Sequence, residues 1–504
     1  SRTRPSRTDR GLGLVARRSP RRRQKGSVDL TRYRGIVPDW TKFMDAASRP
    51  EPTVFRVRAA RLTPDEVLGR LEREGFVLRP LEGQPMFYAV EDGPGPVSMT
   101  LEHWLGLLYV QQASTGVAPP LLGAQPGERV LDLCAAPGGK TMHLAELMGG
   151  QGCVVASEVD ERRIRGLLGN VYRLGHLNVV VVASDGRTFP EGAKFDRVLV
   201  DAPCSGEGTL RKRSGAVPNQ SKSFLSYISQ LQRQLLHKAV RLTKPGGTVL
   251  YVTCTFAPEE NEAVVSDILR EAPVELEPVN LPVPYAPGLT SFQGEVFDSR
   301  LEGAARIYPY HLDSGGLFIA RLKRLDGDLT DEGWSQVPKT FPDPASRENE
   351  ADSEKLVQDA LLDLVERYGI DPDPGWRWTV RGGRVWLHAA EGWPLSAWEE
   401  GPWRPISVGI RAVDFDSRGR ARPTNDLLRI ANRRIKEGLI DLTRSELQSL
   451  LHGDPVAVDF PRRGPVALRF EGDVLGRGAV TGEGLKSEIP KARAQDLARL
   501  GSIA

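Results

Sequence analysis

Between about residues 100 and 325 the chain alternates short apolar runs with longer segments of helical periodicity. The runs "ERVLDL", "CVVASEV", "NVVVVAS", "FDRVLV", "GTVLYVT" and "GLFIARL" read as strands, and amphipathic segments from about Thr141, Glu161, Ser223 and Glu259 read as the helices between them. Alternating β and α at this spacing predicts a Rossmann-like α/β architecture, a doubly wound and mainly parallel sheet spanning residues 99–325. Upstream, residues 27–98 read as a small α+β unit. "TVFRVRAA" alternates as a strand, "TPDEVLGRLEREG" is a helix with Thr63 as its N-cap, and "PMFYAVE" returns as a strand.

Downstream the pattern breaks. Residues 326–354 hold nine acids against two bases, with Pro338, Pro342 and Pro344, and read as an acidic linker. Residues 355–504 read as a separate region: helical segments near 424–452, then short strands interrupted by Gly and Pro as in a small barrel. Six of the nine tryptophans fall between Trp376 and Trp403, a cluster that either fills a β-rich core, the simpler reading, or stacks bases.

A chain of 504 residues exceeds one ordinary domain, in keeping with these divisions. There is no apolar stretch of the length a membrane helix needs, so a soluble protein with no membrane partner is expected. The four cysteines, Cys134, Cys153, Cys204 and Cys254, lack the close Cys/His spacing of a zinc site, and no metal is expected. With no apolar secretory segment at the start, the expected compartment is the reducing cytoplasm, where a thiol can serve as a nucleophile. The net charge of +3 hides an asymmetry: residues 1–26 carry ten Arg/Lys and one Asp, a net +9, which leaves −6 for everything else. This tail reads as a disordered basic arm, a transit peptide or an RNA-contacting arm, and any nucleic acid must be held by it and by local patches.

In an open α/β sheet, ligands bind beyond the carboxyl ends of the strands. The first such loop is "VLDLCAAPGGKT", where Ala135, Ala136, Gly138 and Gly139 remove side-chain bulk and the chain opens into a helix N-terminus; it reads as a cofactor loop. It is neither G-x-G-x-x-G nor a P-loop, and the G-x-G-x-x-A string at Gly11–Ala16 has no strand before it. Glu158 and Asp185 follow the next two strands, where acids meet ribose and base.

The strings "DLCAAPGGKT", "VDAPCSGEGTLRK" and "TCTFAPEENEAVV", in this order and spacing, resemble the signatures of the Sun/Nop family of S-adenosylmethionine-dependent RNA cytosine-5 methyltransferases. "RIYPYHLDSGGLFIARL" and the C-terminal "LGRGAV...EIPKARA" are most similar to the bacterial RsmF-type branch acting on 16S rRNA, which adds a PUA-like RNA-binding module. The resemblance implies a class I methyltransferase domain between a small N-terminal RNA-binding domain and that module. It implies S-adenosyl-L-methionine as cofactor, with Cys134, Ala135, Ala136, Pro137, Gly138, Gly139 and Lys140 lining the methionine moiety. Glu158 would hold the ribose, Asp185 would lie by the adenine, and Asp201 would serve both cofactor and base. Gln112, Arg58 and Val252 depart from residues common in the family, none at a catalytic position.

Carbon 5 of cytosine is a poor nucleophile until a thiolate adds at carbon 6. That chemistry calls for one attacking thiol, one acid at ring nitrogen 3 and one further proton acceptor, which Asp201, Cys204 and Cys254 could supply. DNA enzymes attack with the Pro-Cys thiol, here Cys204. By the RNA family's pattern Cys254 of the Thr-Cys motif attacks and Cys204 helps release the product. Cys153 reads as an inert small hydrophobe and Cys134 as a backbone contributor. Arg211, Lys212 and Arg213 read either as a phosphate clamp or as a solvated face. The expected substrate is structured RNA, foremost small-subunit rRNA, and the expected state a monomer. A tRNA cytosine methyltransferase, a DNA enzyme and a non-catalytic RNA-binding assembly factor are the alternatives.

Overall fold

The computed structural model describes residues 29–59, 61–190, 194–211, 220–327, 350–390 and 405–499. The tail 1–26, Lys212, Arg213, most of the acidic linker and Trp393, Trp398 and Trp403 lie outside them.

Among the described residues the central sheet has ten strands, and its middle five are parallel. In spatial order these are Val179–Ala183, Cys153–Glu158, Arg129–Asp132, Phe195–Asp201 and Thr243–Thr253. Each is an apolar run because both faces are covered. Leu131, Val155, Val180, Val198, Val249 and Tyr251 face one core. Val130, Val154, Val181, Leu199, Leu250 and Val252 face the other. The parallel pattern stops at the edges: Leu317–Arg324 and Ala305–Ile307 add antiparallel on one side. The chain winds outward from Arg129–Asp132 in one direction, then returns to add Phe195–Asp201 on its other side. The loops after Asp132 and Asp201 therefore flank the reversal, where an α/β sheet opens its crevice.

Two helices begin elsewhere than their periodicity suggests. The first runs Gly139–Leu147 and starts directly after Gly138, whose φ of 106° turns the chain from loop to helix. The last runs Glu262–Glu271, not from Glu259, because Glu260 and Asn261 are turned inward into hydrogen bonds. The Thr63 cap forms as expected, with a reciprocal bond from Glu66.

Two boundaries need correction. The N-terminal sheet, ordered Val77–Pro80, Phe87–Asp92, Thr53–Val57, Leu108–Val110, takes its fourth strand from beyond residue 98. A three-residue strand is too short to show a period. Residues 355–504 are not separate either: Pro405–Val408 pairs antiparallel with Val179–Ala183 and covers that edge of the central sheet. An uncovered edge would be an unpaired row of backbone groups. The N-terminal unit and the C-terminal region also share a core, in which Phe55, Leu71 and Trp104 join Leu447, Leu450, Leu468 and Leu485. Within the C-terminal region, Trp376 and Trp378 meet edge to face at 5.9 Å and Trp386 is 8% exposed, a packing role for the described tryptophans.

Candidate active site

Asp132, Glu158, Asp185, Asp201 and Cys254 stand at or just past the carboxyl ends of the five parallel strands, in one row along the crevice. In the loop after Asp132, backbone does the shaping. Ala135 N–H donates to Ser157 O at 2.8 Å, and a Cβ on Gly138 would lie 2.8 Å from Leu167. A Cβ on Gly139 would press on Tyr109 and Gln111 at 3.2 Å. Glu158 is buried and locks this loop to the next: its carboxylate accepts from Val159 and Asp160 N–H at 3.0 Å and from Ala136 N–H at 3.3 Å, with Arg163 at 3.1 Å. Asp132 accepts from Thr141 Oγ1 at 2.6 Å through one oxygen, while its buried Oδ1 has no partner among the described residues. Burial pushes the Asp132 carboxyl up to about 7.

Asp185 caps the turn at Gly186–Thr188 and is gripped by the Arg187 side chain. Burial alone would raise its pKa, but that grip holds it below the usual carboxylate range. Lys140 Nζ donates to Asp201 Oδ2 at 2.7 Å, joining the glycine loop to the Pro-Cys loop. Burial would discharge this ammonium, yet the Asp201 carboxylate outweighs it and keeps the lysine charged; Cys254 is a further contributor.

The two cysteines read from the sequence meet: Cys204 Sγ lies 3.1 Å from Cys254 Sγ. The contact with Cys254, reinforced by burial, holds the Cys204 thiol well above its ordinary range. Burial pushes Cys153 up to about 12 and also holds Cys134 well above its ordinary range, so neither offers a thiolate near neutrality.

The arginine reading changes. Arg211 is buried and donates to Arg49 O at 3.0 Å, Pro50 O at 2.8 Å, Ser314 O at 3.3 Å and Asp313 Oδ1 at 2.7 Å. It braces the Pro-Cys loop, and neither a clamp nor a solvated face describes it. Gln112 is bound to Glu51 at 2.7 and 2.9 Å, Arg58 is half-buried, and Val252 is in the sheet core.

Sequence reasoning missed a set of buried polar residues behind the cysteines: Tyr33, Glu207, Gln232, Thr255 and Glu260. Glu207, Thr255 and Glu260 fall inside the motif strings, so their proximity to the cysteines was the available signal. The segment carrying Tyr33 packs Leu30, Val37 and Phe43 against Phe256 and Tyr308 of the catalytic domain. Among the described residues, no helix is long and apolar enough to cross a membrane, and no group of His, Cys, Asp and Glu could hold a metal ion.

A reversal-point crevice lined by a glycine loop and a row of strand-end acids defines a class I S-adenosylmethionine-dependent methyltransferase. Residues 119–323 match the family model described as 16S rRNA methyltransferase RsmB/F. The chain is 30% identical over 485 residues to ribosomal RNA small subunit methyltransferase F of Klebsiella pneumoniae, covering 93% of this chain and 96% of that protein. It is 34% identical over 312 residues to the mouse 28S rRNA (cytosine-C(5))-methyltransferase, covering 60% of this chain and 39% of that one. A crystal structure of a methyltransferase homolog from Pyrococcus horikoshii superposes with a TM-score of 0.52 at 35% identity, covering 56% of this chain and 90% of that one. The chain belongs to the RsmB/F branch of the Sun/Nop family, RNA cytosine-5 methyltransferases that use S-adenosylmethionine.

Proposed function

We propose that this enzyme methylates carbon 5 of a cytosine in small-subunit rRNA through a covalent Cys254–cytosine adduct, resolved with the help of Cys204. The observation that carries this reading is geometric: Cys204 Sγ and Cys254 Sγ meet at 3.1 Å beside the Lys140–Asp201 pair. Addition and release on one ring need two thiols within reach of each other, and the family's Thr-Cys motif puts the attack on Cys254.

The residues present fit S-adenosylmethionine. Gly138 and Gly139 leave room for close backbone approach, Asp132 keeps an unpartnered buried oxygen at the loop, and the Glu158 carboxylate stands at the next strand end. In this reading Cys134 to Lys140 line the methionine moiety, Glu158 holds the ribose, Asp185 lies by the adenine, and Asp201 faces both cofactor and base. When bound, the cofactor supplies an electrophilic methyl group. Cys254, as thiolate, bonds through sulfur to carbon 6 while nitrogen 3 is protonated through Asp201, which takes that proton from the Lys140 ammonium bonded to it, and electron density moves to carbon 5. After methylation Cys204, having given up its own proton, takes the carbon 5 proton, the carbon 6–sulfur bond breaks with its electrons returning to Cys254, and nitrogen 3 gives its proton back through Asp201. Lys140 keeps Asp201 oriented throughout.

The flanking units serve to hold RNA, the C-terminal one as a PUA-like module. Support comes from a cleft of about 660 Å³ between the Glu161–Leu174 helix and the C-terminal region, whose lining includes Arg173, Arg411, Arg429, Arg477 and Arg493. The same helix donates from Asn170 Nδ2 to Pro137 O in the cofactor loop at 2.9 Å. The enzyme is read as a cytoplasmic monomer with reduced thiols, and none of its four cysteines is in a disulfide.

The test uses the purified chain, labelled S-adenosylmethionine, and 16S rRNA, assembled small subunits and tRNA in parallel. Cys254→Ala should abolish methyl transfer, and Cys204→Ala should accumulate a protein–RNA adduct that survives denaturation. An adduct that requires Cys204 and forms without Cys254 reverses the roles; label entering tRNA alone replaces the substrate.

A further inference from the structure

Ser205 directly follows Cys204, and Thr255 directly follows Cys254. Their hydroxyls are 2.7 Å apart, forming a second rung beside the 3.1 Å contact between the sulfurs. Thr255 Oγ1 also lies 3.2 Å from Glu207 Oε2 and 3.3 Å from Glu260 Oε1, and both acids are fully buried. Glu207 accepts from Tyr33 Oη at 2.6 Å and from Gln220 Nε2 at 2.7 Å. Glu260 Oε2 accepts from Ser205 N–H and from Gln232 Nε2, both at 2.9 Å, and Gln232 Nε2 also donates to Pro203 O at 2.8 Å.

Thr255 Oγ1 is the node of this bonding: besides Ser205, Glu207 and Glu260 it meets Ala257 N–H, which donates to it at 3.2 Å, so its hydroxyl hydrogen and lone pairs are all engaged. A buried polar network of this kind fixes the loops it joins. What it joins is the Pro-Cys loop, the Thr-Cys loop and the N-terminal segment carrying Tyr33.

We propose that Thr255 and Glu260 are positioning residues for adduct resolution: acting through Ser205, they hold the Cys204 thiol at the distance from Cys254 that product release requires. The inference rests on the reading of Cys254 as nucleophile and Cys204 as releasing group. The network's task is distinct from cofactor binding: among the described residues its side-chain bonds run to Tyr33, Ser205, Pro203, Gln220, Gln232 and Ala257, not to the glycine loop or Glu158.

Thr255→Val keeps the shape and removes the hydroxyl. Measured with labelled S-adenosylmethionine and the RNA that the intact enzyme methylates, it should lower kcat about tenfold, the effect of one hydrogen bond needed for reacting geometry. KM for the cofactor should stay within about twofold, and the fraction of enzyme held as denaturation-resistant adduct at steady state should rise. Glu260→Gln, which keeps the side-chain shape and an acceptor for Ser205 N–H and Gln232, should retain most of the rate lost in Glu260→Ala. If Thr255→Val does not fold, Ser205→Ala makes the same break from the more accessible side and carries the same expectation. Parental adduct levels in a folded Thr255→Val or Ser205→Ala enzyme, whatever the change in melting temperature, overturn the inference. Failure of the underlying reading looks different: the intact enzyme would transfer no methyl group, or Cys204→Ala would trap no adduct.

Discussion

The two halves of the crevice are built from different materials. On the cofactor side, loops are shaped by backbone: a positive φ at Gly138, missing side chains at Gly138 and Gly139, and N–H groups of Val159, Asp160 and Ala136 converging on Glu158. On the cysteine side, loops are held by buried charged and polar side chains. Arg211 grips carbonyls of two segments, and Arg306 is paired with Glu262 while also donating to Phe256 O at 3.0 Å. A cofactor common to many enzymes can be met by generic backbone geometry. On the mechanism proposed above, two thiols that act in turn on one ring need an individual frame.

The frame should therefore be the costlier part to disturb. Arg306 and Glu262 side chains are 2% and 0% exposed, and Leu289 N–H also depends on Glu262 at 3.0 Å. Removing one member of such a pair strands a buried charge, a loss of about 3–5 kcal/mol. Arg306→Met should show that loss in denaturant unfolding, together with lost methyl transfer. A variant within about 0.5 kcal/mol of the parent would remove the distinction drawn between the two halves.

Gly138→Ala probes the other half, and its damage should fall on binding. An alanine forced to positive φ costs roughly 1–2 kcal/mol, and the added Cβ meets Leu167 at 2.8 Å. Titration calorimetry with S-adenosylhomocysteine should show affinity weakened by about 5- to 30-fold. The adduct trapped by Cys204→Ala should then form slowly but persist, since the cysteine frame is untouched.

This division of materials also explains what could be read in advance. Ala135, Ala136, Gly138 and Gly139 announce themselves, because a run of small residues between strand and helix has few other uses. Asp201, Cys204 and Cys254 were legible through their motif strings, and the fold brings the two sulfurs together across 50 positions. Glu207 and Glu260 stood in the same strings without a role, because a buried acid and a solvated one are the same letter. Their partners are set by folding: Tyr33 reaches Glu207 from 174 positions away. Arg211 misled for the same reason, since a basic triplet gives no sign that its first member turns inward. The strands Leu108–Val110 and Pro405–Val408 were invisible for want of length, and their pairing depends on edges supplied by other parts of the chain.

A smaller effect separates the halves by pH. Asp132, on the cofactor side, has its carboxyl raised by burial from an ordinary 3.8 to about 7. Between these values the folded state holds a proton that the unfolded chain has released, so this group's contribution to stability is present at about pH 4 and is lost as pH rises to about 7. The slope from one such group is at most about 1.4 kcal/mol per pH unit. Asp132→Asn should flatten that decline in urea titrations run between pH 4 and 7. His143 and His176, where the N-terminal unit meets the catalytic domain, act in the opposite sense: burial lowers them to about 3 and about 4, so their stabilising neutrality is lost as pH falls below about 6.5.

The least expected change concerns RNA. Arg411 is half-exposed on the wall of the C-terminal cleft, 3.4 Å from Asp414, which Arg384 approaches at 3.1 Å. One aspartate shared by two arginines leaves charge uncompensated, which a phosphate can answer. Arg411→Ala should leave the fold and the cysteine chemistry intact. If it removes one phosphate contact, the slope of log affinity against log salt for rRNA should fall by about 0.7–0.9. KM for RNA should rise without a change in kcat. An unchanged slope would assign the cleft to packing between the C-terminal region and the Glu161–Leu174 helix, and RNA holding would then have to be sought on the N-terminal unit.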